Sequence, residues 1–450
     1  MTIALSQEQQ ELFDAIEGGS GHVFVTGRAG TGKSTLLQHL AGATSKQLAV
    51  CAPTGVAALG VGGQTIHSLF RLPIGLIGRT VPDPPAATRK ILNAIETLVI
   101  DEVSMVSADL MDAVDRSLRQ ARRRPAEPFG GVQVVLFGDP YQLSPVPARG
   151  AEARYLEDRY RSSWFFDASV WAGDRAEDGL AGLGRHGTAL ATRELREMHR
   201  QSDEEFITAL NAVREGRVTA DLARMLNDAG ARALPHATDG APLITLAARN
   251  DAVTAINRSR LAELPGLAAV LPAEVTGDFG AGTGGDPADR ELRLKPGAQV
   301  MFLRNDTAGR GDGPRWVNGT LGTVTRIARG QVRVEVAGTE HVVEPVVWER
   351  FRYAYDPARR ALTRETVAEF TQVPLRLAWA VTIHKAQGQT YDRAVIDLGL
   401  GAFAPGQTYV ALSRLRSLDG LYLKRPLRPA DIRVDPDVLR FMTRVAPSRA

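Results

Sequence analysis

Apolar residues recur along the first half of this chain in two alternating rhythms. Near the start, "LSQEQQELFDAI" spaces Leu12, Phe13 and Ile16 as a helix would. Ser6 and Gln9 stand there at S-x-x-Q spacing, a capping box with Ser6 as N-cap. "GHVFVTG" (21–27) alternates as a strand, and "STLLQHLAG" after it is helical. "QLAVCA", "ETLVIDEVSMV" (96–106) and "PFGGVQVVLFGDPYQLSPV" (128–146) each carry a short apolar run suited to a buried strand. Strands interleaved with helices in this way predict an α/β unit built on a parallel sheet.

The second half changes character twice. "ELREMHRQSDEEFITALNAVREG" is helical by period, and "APLITLAARNDAVTAINRSRLAEL" reads as strand then helix. "TGDFGAGTGGDPADR" (276–290), with five glycines, reads as a loop. From 292 the pattern becomes short strands, with "VNGT" as a hairpin-type turn, and a small β-barrel is expected up to 373. The α/β pattern resumes at 374. "RLPIGLIGRTVPDPPAATRK" (71–90) interrupts the first unit with four prolines.

Length adds that about two to four domains are expected. Apolar content of 44% and charged content of 23% are ordinary for a globular protein. The single cysteine, Cys51, excludes an internal disulfide framework and a Cys-rich zinc site. "MTIALSQEQQ" lacks the basic-then-apolar pattern of a signal peptide. No run approaches the ~18 apolar residues of a membrane span, so a cytoplasmic enzyme is expected. A net charge of +3 permits nucleic acid without requiring it. Arginine greatly outnumbers the six lysines, and two of those six, Lys33 and Lys385, fall inside motifs where a compact point charge suits the chemistry.

The most informative motif is "FVTGRAGTGKST", a strand followed by G-x-x-x-x-G-K-S. Its glycines let backbone N–H groups face a phosphate chain at a helix N-terminus. Lys33 would reach the β/γ-phosphates and Ser34 would hold Mg²⁺. Asp101 and Glu102 close the apolar run of "ETLVIDEVSMV" at what would be the C-terminal edge of a strand. There Asp101 would hold Mg²⁺ through water and Glu102 would polarise an attacking water. A pure kinase has no need of that second acid, so the pair favours hydrolysis. Gln9 could cap its helix, read the edge of adenine, or do both. "RQARRR" (119–124) could touch phosphates or simply end a solvated helix.

"GRAGTGKS", "APTGVAA", "TIHSLF", "IDEVSM", "PFGGVQ", "GDPYQL", "TIHKAQGQT" and "YVALSR" stand in order between Gln9 and Leu423. This set resembles superfamily 1B, the 5′→3′ helicases, and within it the Pif-type DNA helicases. "SADLMDAVDRSLRQARRRPAEPFGG" is similar to the signature that separates these from RecD-like relatives. Ser144 departs from the family's usual proline. The resemblance implies an α/β fold of two RecA-like motor domains, parallel sheets with helices on both faces. Motor domain 1A would span 1–190, with a wedge-like piece at 71–90; domain 2A would span 191–291 and 374–450, around an SH3-like insertion at 292–373.

By the same resemblance, ATP would be bound by Gln9, Gly27, Ala29, Gly30, Thr31, Gly32, Lys33, Ser34, Thr35 and Gly388. Gln142 would sense the γ-phosphate, and Arg200 and Arg414 would act as arginine fingers. DNA would be met by Pro53, Thr54, Gly55, Thr65, His67, Ser68, His384 and Lys385, with Phe70 and Phe129 as base-stacking candidates. ATP and Mg²⁺ are the implied cofactors. Single-stranded DNA and tailed or forked duplex are the implied partners of a monomer that could work beside single-strand-binding or repair proteins, in repair, recombination or telomere maintenance. Three rivals stay open: a RecD-like helicase, an ATP-gated clamp that binds strands without unwinding, and an RNA-directed motor. A nucleotide kinase would share only the phosphate loop.

Overall fold

A computed structural model describes residues 5–73, 75–146, 148, 150–172, 188–197, 203–234, 242–277, 279, 286–306, 315–328, 330–356, 358–359 and 361–445. Helix α1 (Gln7–Gly18) leads into β1 (His22–Gly27), α2 (Lys33–Ala43) and β2 (Leu48–Ala52). Short α3 (Gly55–Gly60), β3 (Gln64–Thr65) and α4 (Ile66–Phe70) follow. Then come α5 (Ala86–Ala94), β4 (Thr97–Ile100), α6 (Ala108–Arg122) and β5 (Gln133–Phe137). After α7 (Ala151–Glu157) and α8 (Ser169–Ala172), β6 (Leu190–Leu195) completes an all-parallel sheet of order β3-β2-β4-β5-β1-β6.

The strands are buried on both faces, as parallel strands must be. Successive residues of β1 serve opposite layers: Phe24 packs against Phe165, while Val25 shares a core cluster with Leu12, Ile16, Leu36 and Leu40 of α1 and α2. Strand β6 pairs along the whole of β1. The first lobe therefore runs to Leu195, past the expected boundary at 190. The 71–90 piece lies along α6: Leu72 and Ile77 are buried, and the Ile77 N–H donates to Asp109 Oδ2 at 3.2 Å.

The second lobe begins with α9 (Glu204–Glu215), α10 (Ala220–Gly230), β7 (Ile244–Ala247) and α11 (Asn250–Glu263). A block of antiparallel strands interrupts it: β8 (Ala269–Pro272), β9 (Glu274–Gly277), β10 (Glu291–Leu294), β11 (Gln299–Phe302), β12 (Leu321–Ala328), β13 (Gln331–Val336), β14 (Thr339–Val343), β15 (Val346–Asp356), β16 (Ala361–Gln372) and β17 (Leu375–Leu377). They form sheets β10-β8, β14-β13-β12-β11-β17 and β15-β16-β9. The inserted block thus extends from 269 to 377, wider at both ends than the expected 292–373. β8 to β10 flank the Gly-rich loop, and β17 closes against β11 before the chain leaves. Strands β18 (Ala380–Thr382) and β19 (Ala394–Asp397), helix α12 (Gln407–Leu412) and β20 (Leu421–Leu423) then complete a parallel sheet of order β18-β7-β19-β20.

Two features tie these parts together. The long β15–β16 hairpin reaches the first lobe where β3 leaves part of the β2 edge uncovered. Tyr353 Oη accepts from the Val50 N–H at 3.0 Å, Gln64 Nε2 donates to Phe351 O at 2.6 Å, and Gln47 Oε1 accepts from the Leu362 N–H at 3.0 Å. The last helix, α13 (Pro436–Val445), returns to the first lobe instead of staying with the second. Its Phe441 ring stacks on Phe166 with centroids 4.2 Å apart and packs against Phe24 and Phe165. Trp164 Nε1 donates to Asp435 Oδ2 at 2.9 Å just ahead of it. Among the described residues no helix is long and apolar enough to cross a membrane.

Candidate nucleotide-binding cleft

β1 ends at Gly27, beside β6. A Cβ there would lie 2.7 Å from Leu195 O and 2.7 Å from Thr31 Oγ1, and φ is +154°, so only glycine fits. The loop turns through Gly30 and Gly32 into α2, whose N-terminus carries no side-chain cap. That leaves the helix start facing a cavity of ≈ 440 Å³ lined by Ala29, Gly30, Thr31, Gly32, Lys33, Ser34 and Thr35. Backbone N–H groups at a helix start are a ready anion site. Lys33 Nζ donates to Gly27 O at 2.7 Å and Arg28 O at 3.0 Å, so its charge is folded back onto its own loop. Burial holds its pKa below the ordinary lysine value, offset by the carboxylates of Asp139, Glu102 and Asp101.

Gln9 and Ser6 form the other rim of the cavity. The capping box is present: Gln9 Oε1 accepts from the Ser6 N–H at 2.9 Å, and Gln9 Nε2 donates to Gly32 O at 3.2 Å. Its amide thus ties α1 to the phosphate loop while lining the cavity.

Strand β4 delivers Asp101 and Glu102. Glu102 sits at φ 50°, ψ 42°, a left-handed conformation that costs a non-glycine residue roughly 1–3 kcal/mol. That turn aims its carboxylate into the cavity. Burial, then the charge of Asp101, raise the Glu102 pKa above the usual carboxylate range, while Lys33 and Arg414 oppose the shift. Asp101 is likewise raised by burial. Asp101 stands behind Glu102 and does not itself line the cavity. Ser34 and Asp101 offer the oxygen donors that suit Mg²⁺, and among the described residues no cluster of three or more His, Cys, Asp or Glu forms a cage. A hard cation that keeps its waters and is held largely by nucleotide phosphates fits such a donor set.

The second lobe closes the cavity with Gly388 and Arg414. Arg414 is 1% exposed. Its Nε donates to Val410 O at 3.0 Å, Nη2 to Ser413 Oγ at 2.8 Å and Nη1 to Gln389 O at 3.3 Å. Gln387 joins the lobes: its Nε2 donates to Glu102 Oε2 at 2.8 Å and to Gln142 Oε1 at 3.1 Å. Gln142 in turn donates to Asp139 Oδ2 at 3.4 Å. Arg200 lies outside the described residues.

Residues expected to meet a strand sort into two groups. Pro53, Thr54 and Gly55 follow β2, Thr65, His67 and Ser68 span β3 and α4, and His384 and Lys385 follow β18. All lie at or just beyond the carboxyl ends of parallel strands, where α/β sheets bind ligands. His384 and Lys385 are exposed. Thr54 and Thr65 cap α3 and α4 by accepting from the Ala57 and Ser68 N–H groups. Phe70 and Phe129 are core, which corrects the stacking expectation. They are 2% and 0% exposed, and Phe129 packs against His22 and Trp171. Three arginines of the "RQARRR" run have partners within the fold, while Arg123 is exposed. Arg119 pairs with Asp115 at 2.8 Å, Arg124 pairs with Glu127 at 3.1 Å, and Arg122 donates to the carbonyls of Leu92, Asn93, Ile95 and Gly130.

A profile of the PIF1-like helicase family matches residues 4–224. The ATP-dependent DNA helicase Pif1 of Bdellovibrio bacteriovorus is 35% identical over 98% of this chain and 92% of its own length. The chain belongs to the PIF1-like helicase family. The human ATP-dependent DNA helicase PIF1 is 34% identical over 97% of the chain, which spans 63% of that protein. PIF1-like helicases of known structure superpose closely. Bacteroides Pif1 in complex with ADP-AlF4 gives a TM-score of 0.86 at 33% identity, covering 98% of this chain and 97% of that one. Bacteroides Pif1 bound to ssDNA gives 0.66 at the same identity.

Four participants in the PIF1-like cleft escape a reading of motifs for ATP contacts. Asp139 and Tyr409 stand inside "GDPYQL" and "YVALSR", and Gln387 inside "TIHKAQGQT", so their motifs marked the neighbourhood without the role. Arg214 carries no signal at all. It is an arginine on a helix face, and only the fold shows it 3% exposed and paired with Asp139 at 3.0 Å.

Proposed function

We propose that this chain is an ATP-dependent 5′→3′ DNA helicase that moves along single-stranded DNA as a monomer and unwinds tailed or forked duplex. One observation carries the reading: Lys33 and Glu102 from the first lobe and Arg414 from the second line a single cavity. Lys33 holds the phosphate chain and Glu102 takes the proton of the attacking water. Arg414 faces the charge that develops as the phosphoryl group leaves, a contribution typically worth about 10³–10⁵ in rate. Ser34, and Asp101 through water, would hold Mg²⁺, which would supply neutralising charge on the phosphates.

Gln142 and Gln387 join Glu102 to the loop bearing His384 and Lys385, so a change at the nucleotide reaches the exposed strand-facing end of the second lobe. Polarity and the preference for DNA rest on the motif set and on the names of the relatives. The 71–90 piece, clamped along α6, is suited to hold strands apart, where duplex stacking averages ~1.4 kcal/mol per base-pair step.

The deciding experiment is strand displacement on duplexes carrying a 5′ or a 3′ tail. Unwinding is expected with the 5′ tail alone; the reverse polarity, or displacement of RNA only, refutes the assignment, and strand binding without displacement identifies a clamp. Lys33→Ala and Glu102→Gln should each abolish DNA-stimulated ATP turnover while ssDNA affinity stays within about twofold. Loss of strand binding together with turnover would count against these roles.

A further inference from the structure

Helix α12 meets the first lobe at two points without itself lining the nucleotide cavity. At its N-terminus, Gly406 approaches the loop after β5 so closely that a Cβ would stand 2.2 Å from Gln142 O and 2.5 Å from Tyr141 O. One turn later Tyr409, 3% exposed, sets its hydroxyl between the lobes. That oxygen accepts from the Ala29 N–H of the phosphate loop at 3.1 Å and donates to Asp139 Oδ2 at 3.3 Å. Asp139 is fixed from its other side by Arg214, through Nη2 at 3.0 Å and Nε at 3.4 Å, and that guanidinium lies 4.2 Å from the centre of the Tyr141 ring. Burial keeps the phenol neutral, so it can donate and accept at once.

Arg414 stands just past the far end of the same helix, tied back to it through Val410 O. The distance from Tyr409 to Arg414 is therefore set by helix geometry, and the Tyr409 hydroxyl is set by the phosphate loop. We infer that Tyr409 is a positioning residue: through Ala29 and Asp139 it registers α12 against the phosphate loop and so places Arg414 at the reacting phosphoryl group. The inference rests on the reading of the cavity as a triphosphate site. A misplacement of ~1 Å can cost about 10²-fold in rate, so loss of the pin should be felt where charge develops and not in simple nucleotide binding.

The test is calorimetric titration of ADP, and of ADP with aluminium fluoride, each with Mg²⁺, into wild type, Tyr409→Phe, Arg414→Ala and the double variant. ADP affinity should stay within about twofold throughout, because the phosphate loop is intact. Affinity for the transition-state mimic should fall about 10- to 100-fold in Tyr409→Phe, and the double variant should bind it no worse than Arg414→Ala alone. Tyr409→Phe binding the mimic like wild type overturns the inference, as does a double variant weakened by the product of the two single effects. Wild type binding neither ligand overturns the triphosphate reading and this inference with it; normal ADP binding isolates a failure to the pin. Gly406→Ala gives a second route, displacing α12 by bulk with no polar group removed. A folded Gly406→Ala protein should show the same selective loss, and wild-type affinity for the mimic in that variant would also refute the role.

Discussion

Glu102 is both strained and half-buried, and its protonation should govern the acid side of the pH profile. A general base works deprotonated, so turnover falls as pH drops through its pKa. Burial raises that pKa from the ordinary 4.5, which moves the acid limb up toward neutrality. The DNA-stimulated kcat measured from about pH 4 to 9 should show that limb; a limb left near the ordinary 4.5 would mean that the base is not the raised Glu102 carboxylate. His22 illustrates the opposite sign. Burial lowers its pKa from 6.5 to about 4, so the folded state refuses a proton that the unfolded state accepts. Its stabilising contribution is complete above pH 6.5 and is lost as pH falls toward 4, on the order of 3 kcal/mol across that window. The thermal midpoint should drop accordingly, and less so in His22→Gln.

Phe129 marks a limit of reading single residues. An aromatic beside a Gly-Gly turn looks the same in sequence whether it stacks on a base or on Trp171. Phe129→Ala should cost about 3–5 kcal/mol of stability and leave the ssDNA affinity of the folded protein unchanged.

Most elements were legible because their periods are strong. Strands β1, β2, β4 and β5, each leading into a motif, are expected from the sequence, as is the switch to antiparallel strands; the two-residue β3 is not. The misplaced limits share one cause, namely partners distant in sequence. Strand β6 alternates modestly and looks like a preface to the helix that follows, yet it pairs with β1, more than 160 residues earlier. Helix α13 presents Val438 and Phe441 on one side; the stripe is visible in sequence, but the face that covers it belongs to the first lobe. The β15–β16 hairpin is the extreme case, since nothing in its own alternation points to the β2 edge. Its Tyr353 hydroxyl satisfies the otherwise uncovered Val50 N–H. Tyr353→Phe leaves that donor buried and unpaired, a penalty of about 1–3 kcal/mol against the docked arrangement. Hydrogen exchange should show faster exchange at Leu48–Val50; unchanged protection there would mean the hairpin contributes nothing to that edge.

The superpositions bear on the molecule as a whole. Unliganded Bacteroides Pif1 gives a TM-score of 0.85 and the ssDNA-bound form 0.66, at the same 33% identity. This chain therefore superposes better on the unliganded relative than on the ssDNA-bound one, and its own hairpin is docked on the first lobe. Weakening that dock should favour any arrangement in which it is released. Tyr353→Phe is expected to tighten ssDNA binding about fivefold, the equivalent of roughly 1 kcal/mol, as read by fluorescence anisotropy. Weaker binding would show that the docked hairpin helps to hold the strand.

The return of α13 to the first lobe has its own consequence. The backbone passes from one lobe to the other between Leu195 and Glu204, and back again between Leu423 and Pro436. Two bodies joined by two straps are not free to tumble against each other; like a door on a pair of hinges, they swing about the line through both. A single cut in the second strap would remove one of the two hinges and let the swing wander.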